Sequence, residues 1–402
     1  MALTGIPTNL VQKAWAKDLW KSVEKTLYWN KFIGTGADSI ITKKVELSKQ
    51  AGDRIIIPLM ARLIGSGVTG DNLLEGNEEP LAFFDFAVTV DQIRNGVRIK
   101  GKMEEQKTQI DLRTAGKEGL ATWLQEYLDT DFFTSLAASP STNRVLYGGT
   151  ATAESSLTDG DKLTTALISK AKRKAQMAGV PVAKTITGTV TVTADSYAIV
   201  GASTAFTTEL MVGDKITISG QERLITEVID ATHATAHAKF STAASAVAMT
   251  CSRYLGARSN IRPVNVEGKK MYVMVISPLA GRDLRDDTDW KNAQLNANVR
   301  GSDNPLFSGA IGIWDNVIIH EHENVKISGT GAASANVAHN LFLGAQAGAF
   351  AVAQETEWAE DPTIDYYNQV GFATSMIYGI EKSTFNGEDF GMITIKTGAK
   401  VD

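Results

Sequence analysis

Apolar positions recur every three to four residues in some stretches and every second residue in others, and this alternation of periods divides the chain. From Asn9 to Phe32, Leu10, Ala14, Leu19, Val23 and Leu27 are spaced three to five apart while Lys13, Lys17, Lys21 and Lys25 recur every four, which predicts an amphipathic helix. Trp15, Trp20 and Trp29 give it more aromatic surface than a freely moving tail would carry, so it should dock on its own chain or on a neighbour. Glu104 to Ala138, with Leu120, Leu124, Tyr127, Leu128, Phe132 and Leu136, predicts the longest helix. A further helix is expected from Thr158, with Asp161 approximating a capping box, to Gly179, striped by Leu163, Leu167, Ala171, Ala175 and Ala178. Ala338 to Gln354, rich in Ala and Gly with Val337, Leu341, Ala345, Gly348 and Val352 on one stripe, reads as a helix buried between layers.

Period two gives the strands. Arg54 to Ile64 and Leu81 to Lys100 read as two long ones, the second with Phe84, Phe86, Val88 and Val90 alternating against Asp85, Thr89 and Asp91. Ile364 to Gly379 and Phe390 to Thr397 read as two more, with Phe385 to Gly391 as a turn. Glu267 to Glu323 is the densest stretch. Met271 to Ser277 is a buried strand, and Ser277 with Pro278 starts a short helix, because serine accepts a first-turn N–H and proline has none to leave over. Thr288 or Asp289 caps a second helix near Trp290; Asn304 to Gly309 then turns into a strand from Ile311 to Val325.

From about Lys184 to Ala257 the composition shifts to Thr, Ala, Val and Ile in short runs separated by Gly201, Gly213 and Gly220, as in a small all-β sandwich or barrel. The helix ending at Met177–Gly179 would run on into Ile261–Val264 if this block were deleted, so it reads as an inserted domain on an exterior surface.

The 402 residues suffice for two or three domains, and a formal net charge of −5 lacks the excess of Lys and Arg on which a dedicated DNA-binding protein relies. One cysteine, Cys251, excludes a disulfide within the chain and fits a reducing compartment. No apolar run is long enough to span a membrane, and Met1 to Pro7 does not read as a signal peptide.

Candidate chemistry is sparse. Gly65 to Pro80 carries Asp71, Glu75, Glu78 and Glu79 without a basic residue, but not at the spacing of a calcium loop, so a solvated or partner-facing acidic tip is the plainer reading. His320, Glu321, His322 and Glu323 lack zincin spacing and read as a partly exposed strand end. Cys251 has no histidine nearby in sequence, and neither a phosphate-binding loop nor a dinucleotide fingerprint occurs. No catalytic residue, metal or cofactor is therefore assigned. Lys170, Lys172, Arg173 and Lys174 form the strongest basic run, either a solvated helix face or a surface turned toward DNA or an acidic neighbour. Arg282, Arg285, Asp286 and Asp287 are candidates for ion pairs between subunits.

Several segments, in order, resemble the podovirus-type major capsid proteins of tailed phages: G-V-T-G-D-N-L-L-E-G-N-E-E, Q-I-R-N-G-V-R-I-K-G-K-M-E-E-Q, V-I-S-P-L-A-G-R-D-L-R-D-D and N-P-L-F-S-G-A-I-G-I-W-D-N-V-I-I-H-E-H-E. The resemblance covers nearly the whole chain apart from the insert. It implies an α+β fold of the Hong Kong 97-like (HK97-like) class. The expected parts are an N-terminal arm (1–35), an E-loop hairpin (36–102), a spine helix (103–138), a P-domain in two pieces (139–183 and 258–334) around the inserted all-β domain (184–257), and an A-domain with the closing strand (335–402). It further implies hexamers and pentamers of an icosahedral virion shell, assembled in the host cytoplasm and enclosing double-stranded DNA without sequence-specific binding. A portal and, optionally, a decoration protein would be partners, with no membrane. No lysine lies between Lys49 and Lys100, so the E-loop lacks the amine for the lysine–asparagine cross-link of some relatives, and a non-covalent shell is expected. No long charged helical prefix precedes the arm, so a separate scaffolding protein is expected. A tail or baseplate component, suggested by the β module alone, and a metal-dependent enzyme using His320 and His322 are the alternatives.

Overall fold

The alternating run from Leu81 to Lys100 folds as two strands that belong to different sheets. In the computed structural model, β1 (Arg54–Met60) and β2 (Phe83–Thr89) form an isolated antiparallel hairpin, and the chain continues through Val90 into β3 (Asp91–Ile99). After a short helix comes α1 (Leu112–Leu136), the longest helix among the described residues, then α2 (Thr165–Met177). The second half supplies β4 (Lys269–Ile276), α3 (Pro278–Asp286), α4 (Thr288–Leu295), β5 (Ala310–Trp314) and β6 (Val317–Glu321). β7 (Val337–Leu343), β8 (Gly348–Asp361), β9 (Val370–Lys382) and β10 (Met392–Gly398) complete it. The structure describes residues 27–45, 52–60, 83–107, 112–177, 184–252, 260–266, 268–295 and 310–401, with isolated positions between 61 and 82.

Two sheets carry the main body. One runs 33–34, 41–44, β8, β9, β3; the other runs β5, β6, β4, β7, β10 and Val145–Tyr147, with Val264–Val266 and Ile327–Ser328 attached at β4 and β7. α1 buries Leu124, Leu128, Phe132, Phe133 and Leu136 against both, meeting Val273, Leu341 and Leu343 of one and Phe350, Met376 and Ile380 of the other. The opposite face of the second sheet is covered by Leu167, Ile168 and Ala171 of α2, Leu284 of α3 and Trp290 of α4.

Ser277 caps α3 as its sequence implies: its side chain accepts from the Ala280 N–H at 3.2 Å, and Pro278 opens the helix. The helix expected over Ala338 to Gln354 is instead the end of one strand and the start of another. β7 is buried on both faces, so apolar side chains fill odd and even positions alike and erase the period-two signal, while small residues spaced by chance three or four apart imitate a helical stripe. The strand expected from Ile311 to Val325 is likewise a hairpin, turned at Asp315 and Asn316, both with positive φ. α2 starts at Thr165, later than the expected Thr158. Thr158 and Asp161 do bond to each other, through the Thr158 N–H and hydroxyl onto Oδ2, but they close a turn that precedes the helix. Of the predicted N-terminal helix only its end is described, and there Tyr28–Phe32 is a 3-10 turn whose Trp29 is buried on the chain's own α1. Asn304 to Gly309 lies outside the described residues.

Residues 184–252 make a separate eight-stranded antiparallel sheet with its own core, including Ile199, Phe206, Ile216, Ile225 and Phe240. The Ile261 N–H donates to the Ala175 carbonyl at 2.9 Å, so the chain leaves α2 for this module and returns to the same helix end. The boundary expected at 334–335 cuts the second sheet, because β7 and β10 pair into it beside β4.

A half-buried polar knot ties this sheet to the segment after α1. Glu154 lies 2.5 Å from Lys396 Nζ and 3.2 Å from His339 Nε2. Burial works to raise the Glu154 pKa, but hydrogen bonds from Lys396 and Thr330 and the adjacent positive charge outweigh it and hold it at about 2. Burial, with the Lys396 ammonium beside it, pushes His339 down to about 4, so its ring is neutral at pH 7. Both folded-state values lie below the unfolded ones, so the folded chain binds fewer protons. The stability they contribute is complete above about pH 6.5 and is lost as pH falls, through the His339 window down to 4 and then the Glu154 window down to 2. Thermal unfolding from pH 8 to 4 should therefore show a falling melting temperature below 6.5, and His339→Gln should flatten that fall relative to the unsubstituted protein.

Candidate assembly surfaces

The β1–β2 hairpin is apolar on both faces. Register places Ile55 opposite Val88, Ile57 opposite Phe86 and Leu59 opposite Phe84 on one face, and Ile56 opposite Ala87, Pro58 opposite Asp85 and Met60 opposite Phe83 on the other. The first face packs on Ala349, Ala351, Phe385 and Phe390, with Phe86 and Phe385 edge to face at 5.6 Å. The second is bare: Ile56, Met60 and Phe83 are 63%, 64% and 64% exposed. Two strands cannot cover both of their own faces, so the outer one requires something from outside the hairpin. The signal was present in R-I-I-I-P-L-M, a continuous apolar run where a half-buried strand would alternate. Asp71, Glu75 and Glu78 of the connecting loop are exposed, as the acidic-tip reading expects, and Glu79 lies outside the described residues.

A second exposed feature was not foreseen. At the turn between β8 and β9, Tyr366 is 97% exposed and Tyr367 63%, both with positive φ. Asp361 holds one side of the turn by accepting from the Thr363 N–H at 2.9 Å, and the Asn368 carbonyl accepts from the Lys102 N–H at 3.2 Å on the other. Two aromatic rings on a turn tied down at both sides offer contact area with little ordering entropy left to lose.

The expected charged candidates have partners within the chain. Arg282 lies 3.2 Å from Asp283 and donates to the Lys400 carbonyl at 2.9 Å; Arg285 meets Glu321 at 2.5 Å; Asp286 meets Lys291 at 3.6 Å. Asp287 accepts the N–H and hydroxyl of Thr165, both at 2.9 Å, and the Asp289 N–H at 3.0 Å, which caps α2 and anchors the start of α4 at once. Burial raises its pKa, but these hydrogen bonds win and lower it. In the basic run the four residues diverge. Lys172 pairs with Asp315 at 2.5 Å, and Lys174 donates to the Val145 carbonyl at 2.8 Å with its pKa lowered by burial and by Arg144 and Lys170 nearby, while Lys170 and Arg173 are exposed. Trp15 and Trp20 lie outside the described residues.

His320 is fully buried, in contrast to the expected partly exposed strand end. Its Nδ1 lies 3.2 Å from Lys31 Nζ, and Phe32 meets its ring edge to face at 5.4 Å. His322 stacks on Phe133 at 4.7 Å. Both imidazoles thus pack on the 3-10 turn and α1, and among the described residues no three His, Cys, Asp or Glu side chains converge as a metal site would need. Cys251 is buried in the β module, its thiol 3.5 Å from Asp214 Oδ2. No described helix is long and apolar enough to cross a membrane.

A chain with two bare aromatic or aliphatic projections, a divided core and no convergent reactive cluster among its described residues has the build of an assembly subunit. A family model described as phage capsid protein matches residues 6–211 and 227–401, and the chain belongs to that family. It is 31% identical over 413 residues to the major capsid protein of Pseudomonas phage KPP25, a match that spans 98% of this chain and 96% of the relative. The capsid of Ralstonia phage GP4 superposes with a TM-score of 0.67 at 28% identity, covering 94% of this chain and 92% of that one. The capsid of cyanophage Pam1 gives 0.62 at 21% identity over 93% and 92%. The fold is HK97-like, and the protein is a major capsid protein of a phage. The family match also runs through most of the β module and is interrupted only at 212–226, so the likeness does not stop at the module's edges.

Loss of the double cap should be felt inside the chain. Asp287→Ala is expected to destabilise the folded protein by about 1–2 kcal/mol, as removal of a helix cap does, whereas Asp286→Ala should change stability by no more than about 0.5 kcal/mol; denaturant titration of the two variants checks this.

Proposed function

We propose that copies of this chain form the hexamers and pentamers of an icosahedral shell around the double-stranded DNA of a tailed phage, assembled in the cytoplasm of the host bacterium. The single observation that supports this most strongly is the hairpin with two apolar faces. One face belongs to its own subunit, and the other, with Ile56, Met60 and Phe83, is covered by the next subunit, over which the hairpin reaches as an E-loop. Fully burying such side chains is worth about 1.5–3 kcal/mol each, and repetition around a capsomer turns modest contacts into a stable ring. Tyr366 and Tyr367 supply a second contact between copies. α1 serves as the spine helix, residues 1–35 as the arm, and the β module stands on the outside, where a decoration protein would bind.

A separate scaffolding protein sets curvature, and a portal occupies one position of the shell. The role is structural, without catalysis. Exposed Lys170 and Arg173 face the packaged DNA, while Lys172 and Lys174 serve the fold through Asp315 and Val145. A net charge of −5 keeps the wall from holding the DNA tightly.

Met60→Asp combined with Phe83→Asp, co-expressed with the scaffold, should give a folded chain by circular dichroism but at least tenfold fewer closed shells by sedimentation and negative-stain microscopy. Shells in normal yield would overturn the reading of the hairpin. Charge reversal at Lys170 and Arg173 should leave stability unchanged and lower the DNA content of particles; unchanged DNA content would remove the inner-surface assignment.

A further inference from the structure

The β module and the hairpin tip of the same chain face each other across a cleft of about 730 Å³. Leu63, Val68, Leu74 and Glu78 line it from the hairpin side, and Lys215, Arg223, Leu224 and His237 from the module. Strands 215–218 and 221–228 pair so that Lys215 lies opposite Leu224 and Thr217 opposite Glu222, which puts these four on one face, while Ile216 and Ile218 alternate into the module's core. Leu224 is thus on the outer face, yet only 6% exposed. A leucine on an outer face is buried only where something covers it.

Charge points the same way. Arg223 is partly buried, with Nε and Nη2 donating to the Lys239 carbonyl at 3.1 and 2.7 Å and its guanidinium 5.6 Å from the Phe240 ring centre. Among the described residues its partners are carbonyl oxygens and a ring, and no carboxylate. Lys215 lines the same cleft from the other face of the strand pair, bridged to Glu222 at 2.8 Å. Glu78 lies opposite on the hairpin loop, whose sequence from Gly65 to Pro80 also holds Asp71, Glu75 and Glu79 and no basic residue at all. The Leu224 N–H donates to His237 Nδ1 at 2.9 Å, and His237 lines the cleft.

A third contact joins the two parts below the cleft. Asn386 donates to the Val212 carbonyl of the module at 3.1 Å, and the same small turn carries Phe385, which packs on Phe86 at the hairpin root. Module and hairpin therefore share one abutment.

We propose that the β module's wall of this cleft, with Lys215 and Leu224 on the outer face and Arg223 beside them, is a cradle for the acidic tip of this chain's own hairpin, holding it raised before a neighbouring subunit is engaged. The benefit to assembly rests on the capsid reading; the cradle itself does not. An unsupported loop would have to be ordered during docking, and a held one has lost that freedom already.

The test uses the unassembled full-length chain. Val68→Cys and Ala238→Cys, both on the cleft, are treated with a short bismaleimide; Cys251 is buried and serves as its own control in the unsubstituted protein. A cross-link within single chains in the monomer fraction is expected. Its absence there, with each thiol reacting normally in the single variants, or a cross-link forming only between copies in shells, overturns the proposal. Independently, Lys215→Glu with Arg223→Glu should speed amide exchange in residues 54–60 and 83–89 by about tenfold while exchange in α1 stays unchanged. Unchanged exchange in the hairpin overturns the charge complementarity. Loss of shells with an intact monomer cross-link would instead count against the capsid reading alone.

Discussion

Burial of one face of α1 is the constraint on which the rest of the structure depends. Leu124, Leu128, Phe132 and Leu136 recur every four residues, so one helix presents a continuous apolar seam, and strands from both main sheets close on it. Trp29, Phe32 and His322 add to the same seam from the N-terminal turn and the end of β6. Truncating a buried phenylalanine in such a place typically costs about 3–5 kcal/mol, a large share of the stability of an ordinary domain.

Outside that seam the molecule is left incomplete on purpose-built surfaces. The hairpin finishes one face on its own subunit and leaves the other open; the Tyr366–Tyr367 turn is held at both sides and turns its rings mostly to the outside. Arg282, Arg285, Asp286 and Asp287 are engaged within the chain, in capping and surface pairing. Apolar projections, repeated in every copy, are the elements that association can complete.

Much of this was legible in the sequence, and the parts that were not share a physical cause. The Ser277–Pro278 cap, the seam of α1, the hairpin and the all-β module were readable because each depends on local periodicity or on one cap. β7 was misread because burial on both faces removes the alternation that identifies a strand. Leu81 to Lys100 was read as one strand because Val90 passes from one sheet to another without a break in pattern. His320 was expected near a surface because the N-terminal turn that buries it is distant in sequence. The ion-pair candidates Arg282, Arg285, Asp286 and Asp287 have partners within the chain that lie far away in sequence or one turn on, which charge alone does not reveal. The outer-face residues Ile56, Met60 and Phe83 could have been found from the uninterrupted apolar run, had a two-stranded element been asked what covers its second side.

The bond between Ile261 and Ala175 closes the main body across the point where the β module departs, so the module can change without shifting the register of either sheet. The stretch 212–226, where the family match is interrupted, contains Lys215, Glu222, Arg223 and Leu224, which line the cleft toward the hairpin tip. A change in this stretch leaves the main sheets untouched and falls on the wall that faces Leu63, Val68, Leu74 and Glu78. A module moved into another chain would thus arrive without the loop that Lys215 and Leu224 face here.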